Sequence, residues 1–130
     1  MAERVVIDTT VLIAHLRSKS RAETVFERVV NRYSKCLISA VTAWEIEYGA
    51  VRAGRNSDLD YILPLVEVMP FGLPEARVAA KIYAGLVSRN QVIEMRDVFI
   101  AATCLANDLP LVTENRGHFQ RIEGLTLGEP

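Results

Sequence analysis

The sequence predicts an α/β fold, namely a three-layer α/β/α sandwich with a mostly parallel, twisted sheet. Two observations support this class. Short runs rich in β-branched residues alternate with longer segments whose apolar residues recur every three or four positions. With 130 residues, of which 50% are hydrophobic and 24% charged, the composition is that of an ordinary globular protein. We therefore expect one domain spanning residues 1–130.

The first half of the chain contains two predicted strands and two predicted helices. Residues 4–8 form a β-branched run that ends in an acid, which is typical of a buried parallel strand. Residues 21–33 follow as an amphipathic helix, because their apolar side chains recur at spacings of three and four. Residues 37–39 are a second short strand, and a helix runs from residue 42 to about residue 55, stopped by Gly54.

The second half repeats this alternation. Residues 65–71 are predicted to be a strand that ends at Gly72. One apolar face marks the next helix and contains Ala76, Ala79, Ala80, Tyr83, Leu86 and Val87. Residues 97–106 are apolar on almost all sides, as expected of a helix packed under a sheet, and residues 110–113 (PLVT) form the next strand. Residues 125–127 are a candidate edge strand.

The charge balance limits how this protein could contact nucleic acid. The formal net charge is −1, which argues against a protein that coats nucleic acid through bulk charge. Any contact with nucleic acid must therefore be local. Twelve of the 15 basic residues are arginine, the side chain whose planar guanidinium suits phosphate best.

The first residues of the chain bear on the location of the protein in the cell, and the cysteines bear on whether it forms a disulfide. The opening residues 1–4 lead into an apolar stretch too short for a signal peptide, and no later run is long enough for a membrane span. We expect a cytoplasmic protein without a membrane partner. Cys36 and Cys104 lie in apolar segments, so buried free thiols are favoured over a disulfide.

Acidic residues fall where predicted strands end and helices begin. Asp8 ends the first strand, Glu45 lies in the predicted first turn of the helix after the second strand, and Asp97 opens the most apolar helix. Glu114 and Asn115 follow the PLVT strand. Ligands of parallel sheets bind beyond the carboxyl ends of the strands, so these oxygens are expected to converge.

A divalent cation would relieve the repulsion in such a cluster. Two carboxylates about 4 Å apart repel by roughly 4 kcal/mol at an effective dielectric constant near 20. Oxygen ligands without histidine or thiolate companions favour Mg²⁺ or Mn²⁺ over zinc. Such an ion activates water and screens phosphate charge, which is the chemistry of phosphodiester hydrolysis.

Each residue also has a structural interpretation. Asp8 could cap the following helix, and Glu45 could complete a capping box with Thr42. Asp97 could complement a helix dipole, and Asn115 could be a turn residue. Only the joint placement of these residues favours a metal site. His118 is more often structural than catalytic.

Four segments resemble motifs of PIN-domain ribonucleases, among them VapC-type toxins of toxin–antitoxin pairs. They are residues 6–13 (VIDTTVLI), 38–42 (ISAVT) with 45–49 (EIEYG), 97–102 (DVFIAA), and 111–115 (LVTEN) followed by His118 and Phe119. The resemblance spans nearly the whole chain. It implies a PIN-like sandwich and a Mg²⁺- or Mn²⁺-dependent endoribonuclease with an RNA substrate. It also implies a homodimer that is neutralised by a cognate VapB-type antitoxin.

The resemblance assigns catalytic roles to four residues of this sequence, Asp8, Glu45, Asp97 and Asn115. The first three are the expected metal ligands. Many family members carry Asp where this chain has Asn115, and Glu114 or Glu94 could complete the site instead. A PIN-like module that binds RNA without cleaving it is the main alternative. A receiver-like signalling domain is disfavoured, because the three lysines, Lys19, Lys35 and Lys81, do not follow a late strand.

Overall fold

The sheet contains four strands, all parallel, in a computed structural model that describes residues 3–130. Their order is β3-β2-β1-β4. The strands are β1 (Arg4–Ile7), β2 (Lys35–Ser39), β3 (Glu67–Met69) and β4 (Leu111–Val112). β1 lies inside the sheet, where Val5 pairs with Cys36 of β2 and Val6 pairs with Leu111 of β4.

Helices connect these strands. They are α1 (Thr9–Arg17), α2 (Val25–Arg32), α3 (Ala40–Ala53), α4 (Asp58–Ile62), α5 (Leu73–Ser88), α6 (Met95–Ala106) and α7 (Arg116–Phe119), with a 3-10 turn at Leu63–Leu65. The short helices α4 and α7 and the 3-10 turn were not predicted, because four or five residues are too few to show a helical period.

Alternate residues of β1 face the two helical layers. Val5 and Ile7 pack in one core cluster with apolar residues of α1, α2 and α3. Val6 packs in a second cluster with residues of α5, α6 and α7. Because side chains along a strand point alternately to opposite faces, the two clusters lie on opposite sides of the sheet. The predicted three-layer sandwich with a parallel sheet is confirmed.

The chain order of the strands creates a crevice beyond the carboxyl ends of β1 and β4. From β1 the chain passes through α1 and α2 to β2, on one side of β1. β4 follows α5 and α6 and pairs with the other side of β1. The connections of these neighbouring strands therefore run on opposite faces, the arrangement at which parallel sheets bind ligands.

Two helices in the first half of the chain begin elsewhere than predicted, each because of a capping residue. α2 begins at Val25 and not at residue 21, because Thr24 and Glu27 form a capping box that fixes the first turn. α3 begins at Ala40 and not at residue 42, because the Ser39 side chain caps it by accepting from the Thr42 backbone nitrogen.

Other boundaries also differ from the prediction. The strand predicted at residues 65–71 is confined to Glu67–Met69, and the one predicted at 110–113 to Leu111–Val112. The helix predicted at 97–106 begins earlier, at Met95. Residues 125–127 form no strand and contribute one bridge, between Leu127 and Leu111.

The last residues of the chain run along the outer side of β4. Leu111 donates its backbone N–H to Thr126 (2.9 Å) and accepts from Gly128 (2.8 Å). The Tyr33 hydroxyl donates to the Glu129 carbonyl at 2.7 Å. This segment therefore satisfies backbone groups of a strand that would otherwise be an open edge.

The helix lengths and the two cysteines bear on two further expectations from the sequence. Across residues 3–130, no helix has the length and apolarity needed to cross a membrane. Cys36 and Cys104 are both buried free thiols, as predicted. Burial raises the pKa of the Cys36 thiol to about 11, so this residue is suited to packing and not to nucleophilic chemistry.

Candidate active site

Asp8 lies directly after β1 and is only 1% exposed. It occupies the N-cap position of α1, but its side chain makes no capping hydrogen bond. Instead, Oδ2 accepts from the Thr10 hydroxyl at 2.7 Å and from the Thr113 hydroxyl at 2.8 Å. Thr113 follows β4, so these bonds join the ends of two neighbouring strands and fix the carboxylate in the crevice between them.

Glu45 reaches the same region from α3. Since α3 begins at Ala40, Glu45 lies in the second helical turn and the capping box predicted with Thr42 does not form. Oε1 accepts from the Thr9 hydroxyl at 2.8 Å, and Oε2 accepts from the Arg96 guanidinium at 2.9 Å. Glu45 is thus held between α1 and α6 and has no capping role.

A chain of hydrogen-bonded hydroxyl groups leads from the start of α3 to Glu45. The Ser39 and Thr42 hydroxyl oxygens are 3.2 Å apart, and those of Thr42 and Thr9 are 2.9 Å apart. Ser39 and Thr42 are fully buried and Thr9 is 5% exposed. Because each hydroxyl has one proton, donation from Ser39 through Thr42 and Thr9 ends on the Glu45 carboxylate. Thr9 is therefore the residue that contacts Glu45 directly.

Asp97 lies in the first turn of α6, and a histidine stands beside it. Nδ1 of His118 is 3.4 Å from Asp97 Oδ2 and 2.8 Å from Asn115 Nδ2. Without a proton, Nδ1 accepts from the Asn115 amide; with one, it donates to Asp97. His118 therefore lies between Asn115 and Asp97, and its Nδ1 hydrogen-bonds to one or the other according to its protonation.

The three acids influence one another electrostatically. Burial and the charge of Asp8 raise the pKa of Asp97, although His118 opposes the shift. Burial raises the pKa of Glu45, and the charges of Asp8 and Asp97 raise it further, against the opposing contributions of Thr9 and Arg96. The carboxylates therefore share one crevice in which negative charge is unfavourable.

The donors in this crevice fit a hard cation. Carboxylate oxygens are ligands that Mg²⁺ and Mn²⁺ prefer. Among residues 3–130, no three Asp, Glu, His or Cys side chains lie close enough together to hold a metal ion as they stand. One oxygen of Glu45 is instead bound to Arg96, whose positive charge compensates it.

The sequence of this chain matches a known domain family. The sequence profile of the PIN domain matches residues 5–125, nearly the whole chain. The chain belongs to the PIN domain family. The resemblance to this family is therefore confirmed, and the matched region includes Asp8, Glu45, Asp97 and Asn115.

Curated PIN relatives are similar over almost their full length. Ribonuclease VapC1 of Rickettsia felis is 29% identical, and the match covers 92% of this chain and 91% of the relative. The tRNA(fMet)-specific endonuclease VapC of Shigella flexneri is 28% identical, with 92% of both chains covered.

Solved structures show the same fold. One is VapBC2 from Rickettsia felis bound to a DNA fragment from its promoter, with a TM-score of 0.83, 22% identity, and coverage of 96% of this chain and 97% of that one. Another is DNA-bound VapBC from Salmonella typhimurium, with a TM-score of 0.83, 24% identity and 98% coverage of both chains.

Two acids considered as further ligands take other positions in this PIN domain. Glu114 has an exposed side chain, and only its backbone nitrogen approaches the site, donating to the Thr10 hydroxyl at 3.2 Å. Glu94 forms an ion pair with Arg96. The charge of Glu94 still contributes to the raised pKa of Asp97, so Glu94 acts on the cluster from its rim.

Sequence reasoning missed the groups that hold the acids in place. Arg96 is next to Asp97 in the sequence, so it was a visible candidate for a counter-ion, but its contact with Glu45 spans 51 residues. Thr10 binds Asp8 from two positions along the chain, and its place directly after the acid was the signal for this bond. Thr42 gave only a helix-start signal, and Ser39 was predicted as the end of a strand.

Proposed function

We propose that this protein is an endoribonuclease of the VapC type, which hydrolyses RNA phosphodiester bonds with the help of Mg²⁺ or Mn²⁺. The proposal rests on one observation, that the Asp8, Glu45 and Asp97 carboxylates lie in one crevice at the carboxyl edge of the sheet. Thr113 binds Asp8 there, Thr9 binds Glu45, and His118 lies beside Asp97. The proposal is supported by membership of the PIN family and by relatives named as VapC ribonucleases.

Asp8, Glu45 and Asp97 would hold the cation through their carboxylates. When bound, such an ion orients and activates water and screens the charge on the phosphate. In the hydrolysis the oxygen of water bonds to phosphorus, the phosphorus–oxygen bond to the neighbouring nucleotide breaks, and the leaving oxygen takes a proton. Asn115 contributes as the positioning partner of His118 and not through a charge.

Residues around the acids determine how their oxygens are oriented. Thr10 and Thr113 both donate to Oδ2 of Asp8 and leave Oδ1 without a protein donor among the hydrogen bonds of residues 3–130. Thr9 fixes Oε1 of Glu45. A fixed carboxylate needs little reorganisation when it binds a cation or water, which favours the geometry required for attack at phosphorus.

We further propose that the enzyme is the toxin of a VapBC-type pair and is held inactive by a VapB-type antitoxin. Related structures carry the name VapBC, which supports a bound antitoxin. A basic side chain of the antitoxin would pair with the acid cluster. Since its substrate would be cellular RNA, we place the activity in the cytoplasm.

We also propose a homodimer. Besides the family resemblance, an apolar segment near the middle of the chain, Leu59 to Val66, motivates this proposal, and it is partly exposed in the folded chain. Leu63 and Leu65 are 39% and 49% exposed, whereas Ile62 is fully buried. Light scattering at micromolar concentration measures the oligomeric state, and a monomer there would contradict this part of the proposal.

Incubation of the purified protein with total RNA in Mg²⁺ tests the central activity. The expected result is a set of discrete cut sites that vanish with EDTA and in an Asp97→Asn variant purified in parallel. Binding of RNA with no turnover in any divalent metal would favour the non-catalytic module. Cleavage that survives EDTA or Asp97→Asn would identify a contaminating nuclease.

A further inference from the structure

A groove runs between α1 and α3 and ends at the acid cluster. Its volume is about 430 Å³, which is in the range of clefts that hold small organic ligands. Its lining residues are Ile13, Leu16, Arg17, Glu45, Ile46, Gly49, Arg52, Ala53, Arg55 and Asp58. Glu45 belongs both to this α1–α3 groove and to the proposed catalytic acids, so the two are continuous.

The groove carries unpaired positive charge. Arg55 is neutralised by Asp58, with 2.7 Å between nitrogen and oxygen. Arg17 and Arg52 are exposed, and no ion pair within residues 3–130 involves either of them. In a chain of net charge −1, two free guanidinium groups beside an acidic site form the local basic surface that RNA binding requires.

Gly49 keeps the floor of this groove open. It lies inside α3, where glycine is unfavourable because of its conformational freedom. Its backbone has no positive φ, and a Cβ added there would meet no atom within 4 Å. Neither backbone geometry nor close packing therefore requires glycine here. A side chain at this position would instead project into the groove.

We propose that the α1–α3 groove binds the sugar–phosphate backbone of single-stranded RNA, with Arg17 and Arg52 contacting phosphates on one side of the cleaved bond. This inference rests on the proposed ribonuclease function and deepens it. Carboxylates at the site repel a polyanion, so substrate binding needs cations nearby, and arginine offers a fork that matches phosphate. A segment of the antitoxin is the competing occupant of this groove, and co-expression of the antitoxin with the groove variant distinguishes the two.

Fluorescence anisotropy with a labelled single-stranded RNA of about 12 nucleotides, within the range bound by single-strand modules, tests the groove. EDTA is present throughout, so binding is measured without cleavage. The test variant is Arg17→Gln/Arg52→Gln. Its matched control is Arg21→Gln/Arg77→Gln, which removes two exposed arginines outside the groove and gives the same net charge.

The groove variant should bind this RNA at least tenfold more weakly than the control. Each lost phosphate contact should also reduce the slope of log K against log salt by about 0.7, so the double variant should lose about 1.4. Equal affinity and equal salt slope in the two double variants would overturn the proposal.

Gly49→Leu gives a second measurement that leaves every charge in place. It should fill the groove and weaken RNA binding, while the melting temperature stays the same or rises because leucine favours helix. A folded Gly49→Leu protein that binds RNA like the wild type would contradict the groove as the path of the strand.

The same variants separate this inference from the proposed function. If wild-type protein does not cleave RNA but the groove variant loses binding, the groove stands and the nuclease proposal falls. If wild-type protein cleaves and the groove variant binds like its control, only the groove proposal falls. If the groove variant loses a co-expressed antitoxin but still binds RNA, the groove is an antitoxin site and the RNA proposal is overturned.

Discussion

Arg96 donates a hydrogen bond of 2.9 Å to Oε2 of Glu45, and its guanidinium also pairs with Glu94. A cation of the protein itself therefore stands beside one of the three acids proposed to bind metal. The Arg96 side chain is 51% exposed, so it is able to move into solvent when another cation arrives. This contact predicts competition between Arg96 and the metal ion.

Arg96→Gln should tighten metal binding. Removal of the guanidinium frees a Glu45 oxygen and removes a positive charge that repels the ion. Because the pair is half exposed, we expect a gain of at most about 1 kcal/mol, or roughly fivefold in the Kd for Mn²⁺. Calorimetry on metal-free protein measures this, with Arg77→Gln as the control. Weaker binding in Arg96→Gln would mean that Arg96 positions Glu45 for the metal.

Asp8→Ala and Asp97→Ala should each reduce single-turnover RNA cleavage by more than tenfold, which corresponds to about 1.4 kcal/mol of activation barrier. Each change removes a proposed ligand while most of the apolar core remains intact. Asp108→Asn, an exposed acid with positive φ that asparagine tolerates, is the control. Folded variants that keep a tenth or more of the wild-type rate would rule out the assigned ligand set.

Glu45→Gln should also lose cleavage without a drop in melting temperature. The amide oxygen still accepts from Thr9, so the contact between α3 and α1 is kept, but the charge for the cation is gone. Glu47→Gln, on the same helix, is the matched control. A lower melting temperature with an unchanged rate would assign Glu45 a purely structural role.

Stability without metal should depend on the ionisation of Asp97. Its pKa in the folded protein is raised above the usual 3.8, chiefly by burial and then by Asp8, so ionisation costs folding free energy. That cost is absent below pH 3.8, grows as pH rises through the raised value, and is complete above it.

In EDTA at pH 7, Asp97→Asn should therefore melt at a higher temperature than the wild type, and the difference should disappear near pH 3.8. Excess Mg²⁺ should narrow the gap at pH 7 by stabilising only the wild type. Thermal melts across this pH range provide the measurement. A wild type that is more stable than Asp97→Asn in EDTA would contradict a strained acid cluster.

Asn115→Asp should add charge near the metal and tighten metal binding. Its neighbour His118 lies between position 115 and Asp97, so a hydrogen bond from the ring to the new carboxylate would offset part of the gain. Asn115→Asp/His118→Gln should therefore bind Mg²⁺ more tightly than Asn115→Asp alone. Unchanged affinity in both variants would place Asn115 outside the metal site.

The position of Asp8 at the end of β1 was predictable from the sequence, because it depends on local signals. The run RVVI followed by Asp8 contains both the buried β pattern and the acid that follows it. Four parallel strands then bring acids that are distant in sequence to one edge. The general location of the site therefore follows from the strand pattern alone.

Orientation was not predictable, because it depends on contacts between distant elements. Glu45 looked like a capping residue because Thr42 precedes it by three positions. Ser39 is the cap instead and the helix begins at Ala40, so Glu45 lies in the second turn. That shift directs Glu45 to Thr9 and Arg96. Similarly, Asn115 looked like a fourth ligand, whereas its amide contacts His118, a residue that sequence reasoning set aside.

The carboxy-terminal segment along β4 has a consequence for how these molecules behave in concentrated solution. An uncovered strand edge is a template on which a second molecule can add its own strand, which leads to aggregation. The backbone N–H and carbonyl of Leu111 already form hydrogen bonds with Thr126 and Gly128, respectively. A Cβ at Gly128 would come within 2.9 Å of the Tyr33 hydroxyl. The tight fit at Gly128 thus protects the sheet from intermolecular strand addition, and a bulky residue there would promote self-association far from the acids.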